Sequence, residues 1–340
     1  MNFKHCTALF AAITGLALAT SPAHAQSGNL QADFDNLLGT EVKSPQSYDA
    51  VYADNFARRI SAVADGSNGR IGVAAVDLNS GEQIMVLGDQ LFPLASTSKV
   101  AVAATFLELV EKGRYSLTDE FPILIPMRSA RFSGSAVPKS PGKPMAAIDL
   151  IEIMITRSSN PATDTLLKAV GGPAAVNAWM KRQGINDFSI DRDIATLVRD
   201  DGQYNPASYI DPRDAASPRA MVRLLQGLYR GDFLSDQSRR VLLGSMSRTV
   251  TGSRRIVANM PSSAKVNHKT GSLNNTSSDI GIIEYADGRA IAVAIYVTGQ
   301  GTKLARERKI AEIARELYDG FGAKTQPRQN WTNATYGSGQ

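Results

Sequence analysis

The apolar residues along the chain follow two kinds of spacing, which predict a mixture of helices and strands. Apolar residues three or four positions apart, which lie on one face of a helix, recur through the middle of the chain and near both ends. Short apolar runs between turn residues, which are typical of strands, occur only towards the two ends. The predicted helices are 48–66, 96–113, 148–156, 161–170, 173–183, 218–229 and 304–318. The predicted strands are 71–78, 83–87, 265–271, 280–285 and 291–297.

Strands near both ends with helices between them predict an α/β fold of the α+β type. The two terminal parts would form one antiparallel sheet flanked by helices, with an inserted all-helical subdomain at about 115–261. We expect a functional site in the cleft between the sheet and this subdomain. The predicted domain covers 48–322, after a flexible linker at 26–47 and before a disordered tail at 323–340.

The first 25 residues have the pattern of a signal peptide. Lys4 lies in a short basic region, an almost wholly apolar run covers 6–19, and Ala23 and Ala25 form a small-x-small cleavage site. We therefore expect cleavage near Ala25 and an exported protein, either periplasmic or secreted. No later segment is long and apolar enough to cross a bilayer, so we expect no stable membrane insertion.

The charge pattern gives no sign of a nucleic-acid partner. The formal net charge of the 340 residues is +5, from 37 Lys and Arg against 32 Asp and Glu. These basic residues are scattered, which favours a solvated surface first and attraction to anionic envelope material second. The sequence contains no nucleic-acid-binding motif, and no extended apolar stripe demands a partner. We therefore expect a monomer that binds no nucleic acid.

Cysteine and histidine are too scarce for several mechanisms. Cys6, the single cysteine, lies in the predicted signal peptide, so the mature chain would have neither a disulfide nor a thiol nucleophile. Of the three histidines, only His268 lies beyond that segment, which excludes a His-rich zinc site. His268 could still centre a Ser-His-Asp triad, but beside Lys269 on a strand its side chain points to the opposite face, which favours packing. We expect neither a metal nor an organic cofactor.

Ser96 and Lys99 lie three residues apart at the start of a predicted helix. This spacing places both side chains on one helix face, so the amine comes next to the hydroxyl. A neutral amine there can accept the serine proton, directly or through water, and make the hydroxyl an acylating nucleophile. The four-residue pattern alone is common in helices, so further motifs decide its meaning.

Two further short motifs follow in the chain. Ser158, Ser159 and Asn160 lie in a loop between two predicted helices, and Lys269 begins a Lys-Thr-Gly sequence on a predicted strand. Singly, the first is an ordinary helix N-cap and the second an ordinary strand end. A lysine that points into the cleft could hold a carboxylate, and the small Gly271 would let a substrate approach the strand backbone.

In combination, these motifs resemble the penicillin-recognising serine enzymes, and most closely the class A β-lactamases. The segment 92–99 is similar to that family's Phe-Pro-x-x-Ser-Thr-x-Lys nucleophile sequence, and further similarities lie at 251–261, 269–272 and 278–280. The resemblance covers 48–321. It implies a β-lactamase/transpeptidase-like fold and a serine hydrolase that opens the β-lactam amide through an acyl-enzyme and gives β-lactam resistance.

The resemblance also implies roles for individual residues. Ser96 would be acylated, with Lys99 as proton acceptor or relay, and Ser158 would pass a proton to the leaving nitrogen. Lys269 would attract the substrate carboxylate and support Ser158. The backbone N–H groups of Ser96 and Ser272 would form an oxyanion hole. The residues implied to bind substrate are Asn160, Asn205, Thr270, Gly271 and Ser272.

Two features of the resemblance leave questions open. Ser159 stands where the family usually has an aspartate, which concerns the rigidity of the loop more than the chemistry. The arginine that often helps to bind the antibiotic carboxylate could be Arg254, Arg255 or Arg289.

A loop late in the helical region decides how an acyl-enzyme is cleared. In the family, a Glu-x-x-Leu-Asn segment supplies the carboxylate that activates water, and an Arg–Asp ion pair, here Arg192 with Asp214, closes the loop. Counted forward from Arg192, no glutamate is in register, which favours a penicillin-binding protein. Counted backward from Asp214, Asp201 takes the place of the glutamate and Asn205 that of the asparagine, in a longer loop. A solvated turn at Asp200 and Asp201 is the alternative.

Two alternatives to a β-lactamase therefore remain. One is a D-alanyl-D-alanine carboxypeptidase that acts on peptidoglycan stem peptides. The other is a slow-turnover β-lactam-binding sensor, in which Ser96 is acylated and nothing clears it. The role of Asp201 separates the β-lactamase from the sensor, and turnover of a D-alanyl-D-alanine peptide identifies the carboxypeptidase.

Overall fold

The computed structural model describes residues 54–324. Within that range the helices are α1 (Asn55–Val63), α2 (Lys99–Glu111), α3 (Ala147–Thr156), α4 (Asn160–Val170), α5 (Pro173–Arg182), α6 (Ile194–Arg199), α7 (Pro218–Arg230), α8 (Asp236–Ser247) and α9 (Lys303–Lys324). The strands are β1 (Ile71–Asp77), β2 (Gln83–Val86), β3 (Phe92–Pro93), β4 (Glu120–Pro126), β5 (Lys139–Ala146), β6 (Phe188–Ser189), β7 (Ala215–Ala216), β8 (Lys265–Leu273), β9 (Thr276–Glu284) and β10 (Ala290–Thr298). The predicted mixture of helices and antiparallel strands is confirmed.

The main sheet joins the two ends of the domain, as predicted. Its five strands lie in the order β2-β1-β10-β9-β8, and every neighbouring pair is antiparallel. Side chains of β1 alternate between two cores: Val73 and Ala75 pack with α1 and α9, whereas Ala74 and Val76 pack with α2 and α7. Burial on both faces explains why β1 and β10 are almost continuously apolar.

The prediction that the inserted subdomain is all-helical is wrong in one respect. β4 and β5 form a two-stranded antiparallel sheet within it, with a register shift between Pro122 and Leu124. Because β4 contains prolines and is mostly exposed, it lacks the regular apolar pattern by which a strand is predicted from a sequence. The edge is held by a tertiary contact, because the Leu124 N–H donates to Thr165 Oγ1 of α4 at 2.9 Å.

The remaining predictions concern the chain ends. The predicted signal peptide, the linker, residues 48–53 and most of the tail lie outside the described residues. α9 continues to Lys324, slightly past the predicted domain end at 322. Among the helices of residues 54–324, none is long and apolar enough to span a membrane.

Candidate active site

The segment that carries Ser96 is fixed from both sides. Ala95 has a positive φ of 48°, which ends β3 and starts a 3₁₀ turn (Ala95–Ser98) that leads into α2. Thr97 Oγ1 lies 2.6 Å from the Leu94 carbonyl and 2.9 Å from the Tyr296 hydroxyl. Thr97 is buried but Ser96 is partly exposed, so the rigid turn presents the Ser96 side chain at the surface of the cleft.

Lys99 is fully buried and held by the Ser158-Ser159-Asn160 loop. Its Nζ donates to the Ser158 carbonyl at 2.7 Å, to Ser158 Oγ at 3.1 Å and to Asn160 Oδ1 at 2.7 Å. Burial, helped by the charge of Lys269, holds the pKa of Lys99 well below its ordinary value, although Asp164 acts in the opposite direction. The neutral form of Lys99, which can accept a proton, is therefore more accessible than that of an exposed lysine.

Ser158 joins the two lysines. Lys269 Nζ donates to Ser158 Oγ at 3.0 Å and to the Thr270 carbonyl at 2.8 Å. Burial lowers the pKa of Lys269 to about 7; Asp279 opposes this shift and Arg255 adds to it. The Ser158 hydroxyl therefore lies between two amines that titrate far below an exposed lysine.

The loop around Ser158 is built by a strained residue and a helix cap. Ser158 has a positive φ of 58° between α3 and α4. Ser159 is the N-cap of α4, and its Oγ accepts the Ala162 N–H at 3.3 Å. The Thr163 hydroxyl donates to the Ser159 carbonyl at 2.6 Å. The N-cap predicted from the sequence is confirmed, and it anchors the loop where the family usually has an aspartate.

One buried arginine supports the end of β8. Arg255 donates to the Gly271 carbonyl at 2.8 Å, to the Ser278 carbonyl at 2.8 Å and to Ser272 Oγ at 2.7 Å, and it pairs with Glu307 at 3.1 Å. Of the three arginines considered from the sequence, Arg255 is therefore the one in contact with the Lys-Thr-Gly-Ser strand. Arg289, by contrast, pairs with Asp287.

The packing of β8 gives a second reason for a glycine at position 271, beside the predicted approach of substrate to the strand backbone. A Cβ at this position would lie 2.4 Å from Ser278 Oγ, 3.0 Å from the Leu94 carbonyl oxygen and 3.1 Å from Ala95 Cβ. The absence of a side chain thus lets β8 pack directly against the segment before Ser96. Thr270, its neighbour, shares a hydrogen bond with Thr251, whose hydroxyl lies 2.6 Å away.

The predicted ion pair that closes the loop is present. Arg192 Nε lies 2.6 Å from Asp214 Oδ2, and Asp214 Oδ1 accepts the N–H groups of Asp191 at 2.9 Å and Arg192 at 3.1 Å. Asp214 is 2 % exposed, so these contacts replace its water shell.

A second buried carboxylate, which the sequence argument missed, holds the start of the same loop. Asp164 of α4 accepts the N–H groups of Ile194 at 2.7 Å and Ala195 at 3.1 Å. Burial raises the pKa of Asp164 to about 6, helped by the charge of Asp193. Lys139 pairs with Asp193 at 2.5 Å and lies 3.9 Å from Asp164. An acidic residue one helical turn after Asn160 was the only sequence signal.

Asp201 and Asn205 lie at the turn between β8 and β9. The Asn274 N–H is 2.7 and 3.0 Å from the two carboxylate oxygens of Asp201, and Asn205 Oδ1 accepts from Asn275 Nδ2 at 2.9 Å. Burial raises the pKa of Asp201. The hydrogen bonds of Lys99, in contrast, go to Ser158 and Asn160. The hydrogen bonds thus place Asp201 and Asn205 against the turn between β8 and β9, and place the two lysines around Ser158.

His268 packs as predicted. Its Nδ1 lies 3.0 Å from each carboxylate oxygen of Asp279, and both side chains are buried. Asp279 Oδ2 also accepts the Ile256 N–H at 3.3 Å. This pair holds β8 to β9 behind the strand face that carries Lys269.

A partly exposed serine, two buried lysines and a bridging serine hydroxyl in an α+β fold define a serine hydrolase of the acyl-transfer type. The sequence model of the β-lactamase enzyme family matches residues 55–321. β-Lactamase CTX-M-8 of Citrobacter amalonaticus is 30% identical over 279 residues, with 79% of this chain and 90% of that protein covered. β-Lactamase CTX-M-25 of Escherichia coli is 31% identical over 272 residues, with the same coverage.

Solved structures agree. A β-lactamase from Chitinophaga pinensis DSM 2588 superposes with a TM-score of 0.68 at 26% identity, covering 79% of this chain and 100% of that one. An ancestral class A β-lactamase of Gram-negative bacteria superposes with a TM-score of 0.66 at 33% identity. This superposition covers 78% of this chain and 100% of the ancestral one. The chain belongs to the class A β-lactamase family.

Proposed function

We propose that the protein hydrolyses the β-lactam amide through an acyl-enzyme on Ser96. The observation that carries this proposal is the Ser158 hydroxyl between Lys99 Nζ and Lys269 Nζ, at 3.1 and 3.0 Å. Such a bridge can take a proton from one side and deliver it to another. The relatives that cover most of the chain are named β-lactamases, which supports the same substrate class.

Acylation would proceed as follows. Ser96 Oγ attacks the β-lactam carbonyl while its proton passes to Lys99, whose lowered pKa favours the neutral amine. The Oγ–C bond forms, the ring C–N bond breaks, and Ser158 donates a proton to the departing nitrogen. Ser158 recovers that proton from Lys99 or Lys269. The backbone N–H groups of Ser96 and Ser272 would stabilise the oxyanion.

Substrate binding would use the residues around this relay. Asn160 accepts from Lys99 through Oδ1, which turns its amide NH₂ towards an acyl side-chain carbonyl. Ser272, which is exposed near the end of β8, and its neighbour Thr270 would donate to the substrate carboxylate. The charge of Lys269 would attract that carboxylate, as the resemblance implies.

Deacylation needs an activated water. Asp201 remains the carboxylate that the sequence predicts for this step. Near Arg192, the first turn of the loop has Ile194 and no glutamate that could take this role. Both oxygens of Asp201 face the Asn274 N–H. This contact favours a second candidate function, in which the β-lactam acyl-enzyme is cleared slowly. The protein would then be a D-alanyl-D-alanine carboxypeptidase or a β-lactam-binding sensor. Export, removal of residues 1–25 and a monomeric state are part of the same proposal.

The test is intact-protein mass spectrometry of the mature chain mixed with excess benzylpenicillin and sampled from seconds to hours. A transient adduct with complete conversion of the drug to its hydrolysed acid is expected for a β-lactamase. An adduct that persists after removal of free drug would favour the carboxypeptidase or the sensor, and turnover of a D-alanyl-D-alanine peptide would separate those two. Ser96→Ala is the matched control and should form no adduct. A wild-type protein that neither forms an adduct nor hydrolyses the drug would refute the proposal.

A further inference from the structure

We propose that the tip of the β4–β5 hairpin docks the protein reversibly on the surface of an anionic phospholipid bilayer. The hairpin tip is defined as residues 125–136, which are the end of β4 and most of the connection that follows it. Every residue of the tip is exposed. The inference does not depend on the proposed function, because none of the residues proposed for acylation belongs to the tip.

The hairpin carries an excess of positive charge. From residue 121 to residue 148 the sequence has no Asp or Glu, and its basic residues are Arg128, Arg131, Lys139 and Lys143. Lys139 pairs with Asp193 at 2.5 Å. The other three are exposed, and within residues 54–324 they form no salt bridge. Cations without a carboxylate partner are available to the phosphate groups of anionic lipids.

Large apolar side chains are exposed among these charges. Ile125, Met127 and Phe132 are 48%, 54% and 49% exposed. The hairpin tip thus holds three of the seven large apolar side chains that are exposed within residues 54–324. A soluble polyanion would pair with the cations and leave these side chains in water, whereas the interfacial region of a bilayer accommodates both. The combination therefore favours a lipid surface as the partner.

Hydrogen bonds to the end of α6 hold the hairpin tip in place. Arg131 Nε donates to the Arg199 carbonyl at 3.0 Å, and Arg199 Nη2 donates to the Ser135 carbonyl at 2.9 Å. The Phe132 N–H donates to Asp200 Oδ1 at 2.8 Å. The tip therefore presents its exposed side chains in a fixed arrangement, so docking would cost little conformational entropy.

Phe132 has a backbone conformation that its side chain disfavours. Its φ is +56°, in the left-handed region where glycine is preferred. The Arg131 guanidinium lies 5.0 Å from the centroid of the ring, but half of the ring remains in water, so packing within the protein offsets little of this strain. Strain of this kind indicates a function for the ring outside the fold. At a bilayer the ring would enter the interfacial region while Arg128 and Arg131 reach lipid phosphates.

The experiment measures cosedimentation of the mature chain with two kinds of vesicle, at low and at physiological ionic strength. One kind contains phosphatidylglycerol and phosphatidylcholine, and the other contains phosphatidylcholine alone. Arg128→Gln combined with Lys143→Gln removes two charges from the hairpin. Arg58→Gln combined with Arg240→Gln is the matched control, since it changes the net charge equally at exposed positions of α1 and α8.

We expect the wild-type protein to bind the phosphatidylglycerol vesicles and not those of phosphatidylcholine alone. At low ionic strength the hairpin pair should weaken binding about 25-fold, since each basic residue near an anionic surface contributes about fivefold. The loss should shrink at physiological ionic strength. The control pair should weaken binding much less, because its charges lie away from the contact.

A second pair of variants tests the apolar contribution. Phe132→Gly should weaken binding about fivefold at both ionic strengths, which corresponds to burial of the exposed half of a phenylalanine side chain. Leu304→Ala is the control, since Leu304 in the first turn of α9 is also 49% exposed, and it should bind as the wild type does. In urea unfolding Phe132→Gly should be no less stable than the wild type, because glycine relieves the positive φ.

Four results would overturn the inference. The first is a wild-type protein that does not bind phosphatidylglycerol vesicles. The second is an equal loss in the hairpin and control charge pairs, which would show that net charge alone drives binding. The third is a loss in the hairpin charge pair but not in Phe132→Gly, which would identify a site for a soluble polyanion. The fourth is Phe132→Trp without a shift of its added fluorescence to shorter wavelength on the vesicles, since the ring would then remain in water.

Discussion

Lys269 imposes a free-energy cost on the folded protein that a single substitution should reveal. The side chain is 0 % exposed, and burial lowers its pKa from an ordinary 10.5 to about 7. Between these pH values the unfolded chain binds more protons than the folded one, so the free energy of unfolding rises with pH. At 1.36 kcal/mol per pH unit, the difference corresponds to about 5 kcal/mol, a cost that is complete below pH 7 and absent above pH 10.5.

Lys269→Met replaces the amine by an uncharged side chain of similar length. We expect the variant to be more stable than the wild type at pH 6, by less than this cost because two hydrogen bonds are lost. The informative quantity is the slope: the advantage of the variant should shrink by about 2 kcal/mol in total from pH 7 to pH 9, and the rate should approach about 1.4 kcal/mol per pH unit above pH 8. Loss of the neighbouring charge also raises the pKa of Lys99, which acts in the same direction.

Urea unfolding at pH 6, 7, 8 and 9 measures this slope. Lys265→Met is the matched control, since Lys265 lies on the same strand but is exposed, and its effect should not vary with pH. A difference between wild type and Lys269→Met that stays constant with pH would show that Lys269 is not a destabilising buried charge. The same variant should acylate Ser96 more slowly, because Ser158 loses a proton donor.

Three further substitutions test the framework of the site by urea unfolding. Asp214→Ala leaves Arg192 without its partner in a buried ion pair and should lower the free energy of unfolding by about 3–5 kcal/mol; an effect below 1 kcal/mol would contradict this. Ser159→Ala removes the α4 cap and should cost about 1 kcal/mol, whereas Ser159→Asp should restore the cap. Gly271→Ala places a methyl group against Ser278 and should cost about 1–3 kcal/mol and slow acylation; wild-type rates would show that β8 can move freely.

Most of the fold could be predicted because its strands and helices have strong periodic patterns. The sheet strands near both ends and the helices α3, α4, α5 and α7 lie within a few residues of their predicted bounds, whereas α6 and α8 have no counterpart among the predicted helices. The pair β4 and β5 could not be predicted, because its burial is weak and its position depends on the contact between Leu124 and Thr165 in a distant helix. Local pattern carries no information on that contact.

The residues proposed for acylation were predicted more completely than those that hold the long loop. Ser96, Lys99, Ser158 and Lys269 lie in short motifs whose spacing follows from regular elements. A role for Asp164 could not be predicted, since a single acidic residue on a helix has no distinctive pattern. Its importance arises only from the loop N–H groups that the fold brings to it.

The groups proposed for acylation and the long loop that carries Asp201 are therefore positioned by different interactions. The groups proposed for acylation lie on β8, in α2 and the turn before it, and in the loop before α4, and two of them are buried lysines. The loop is positioned by three carboxylates, Asp164, Asp201 and Asp214, each of which accepts backbone N–H groups and has a pKa raised by burial. We therefore expect substitutions at these carboxylates to slow the clearance of an acyl group more than its formation, since none of the three is among the groups proposed to form it.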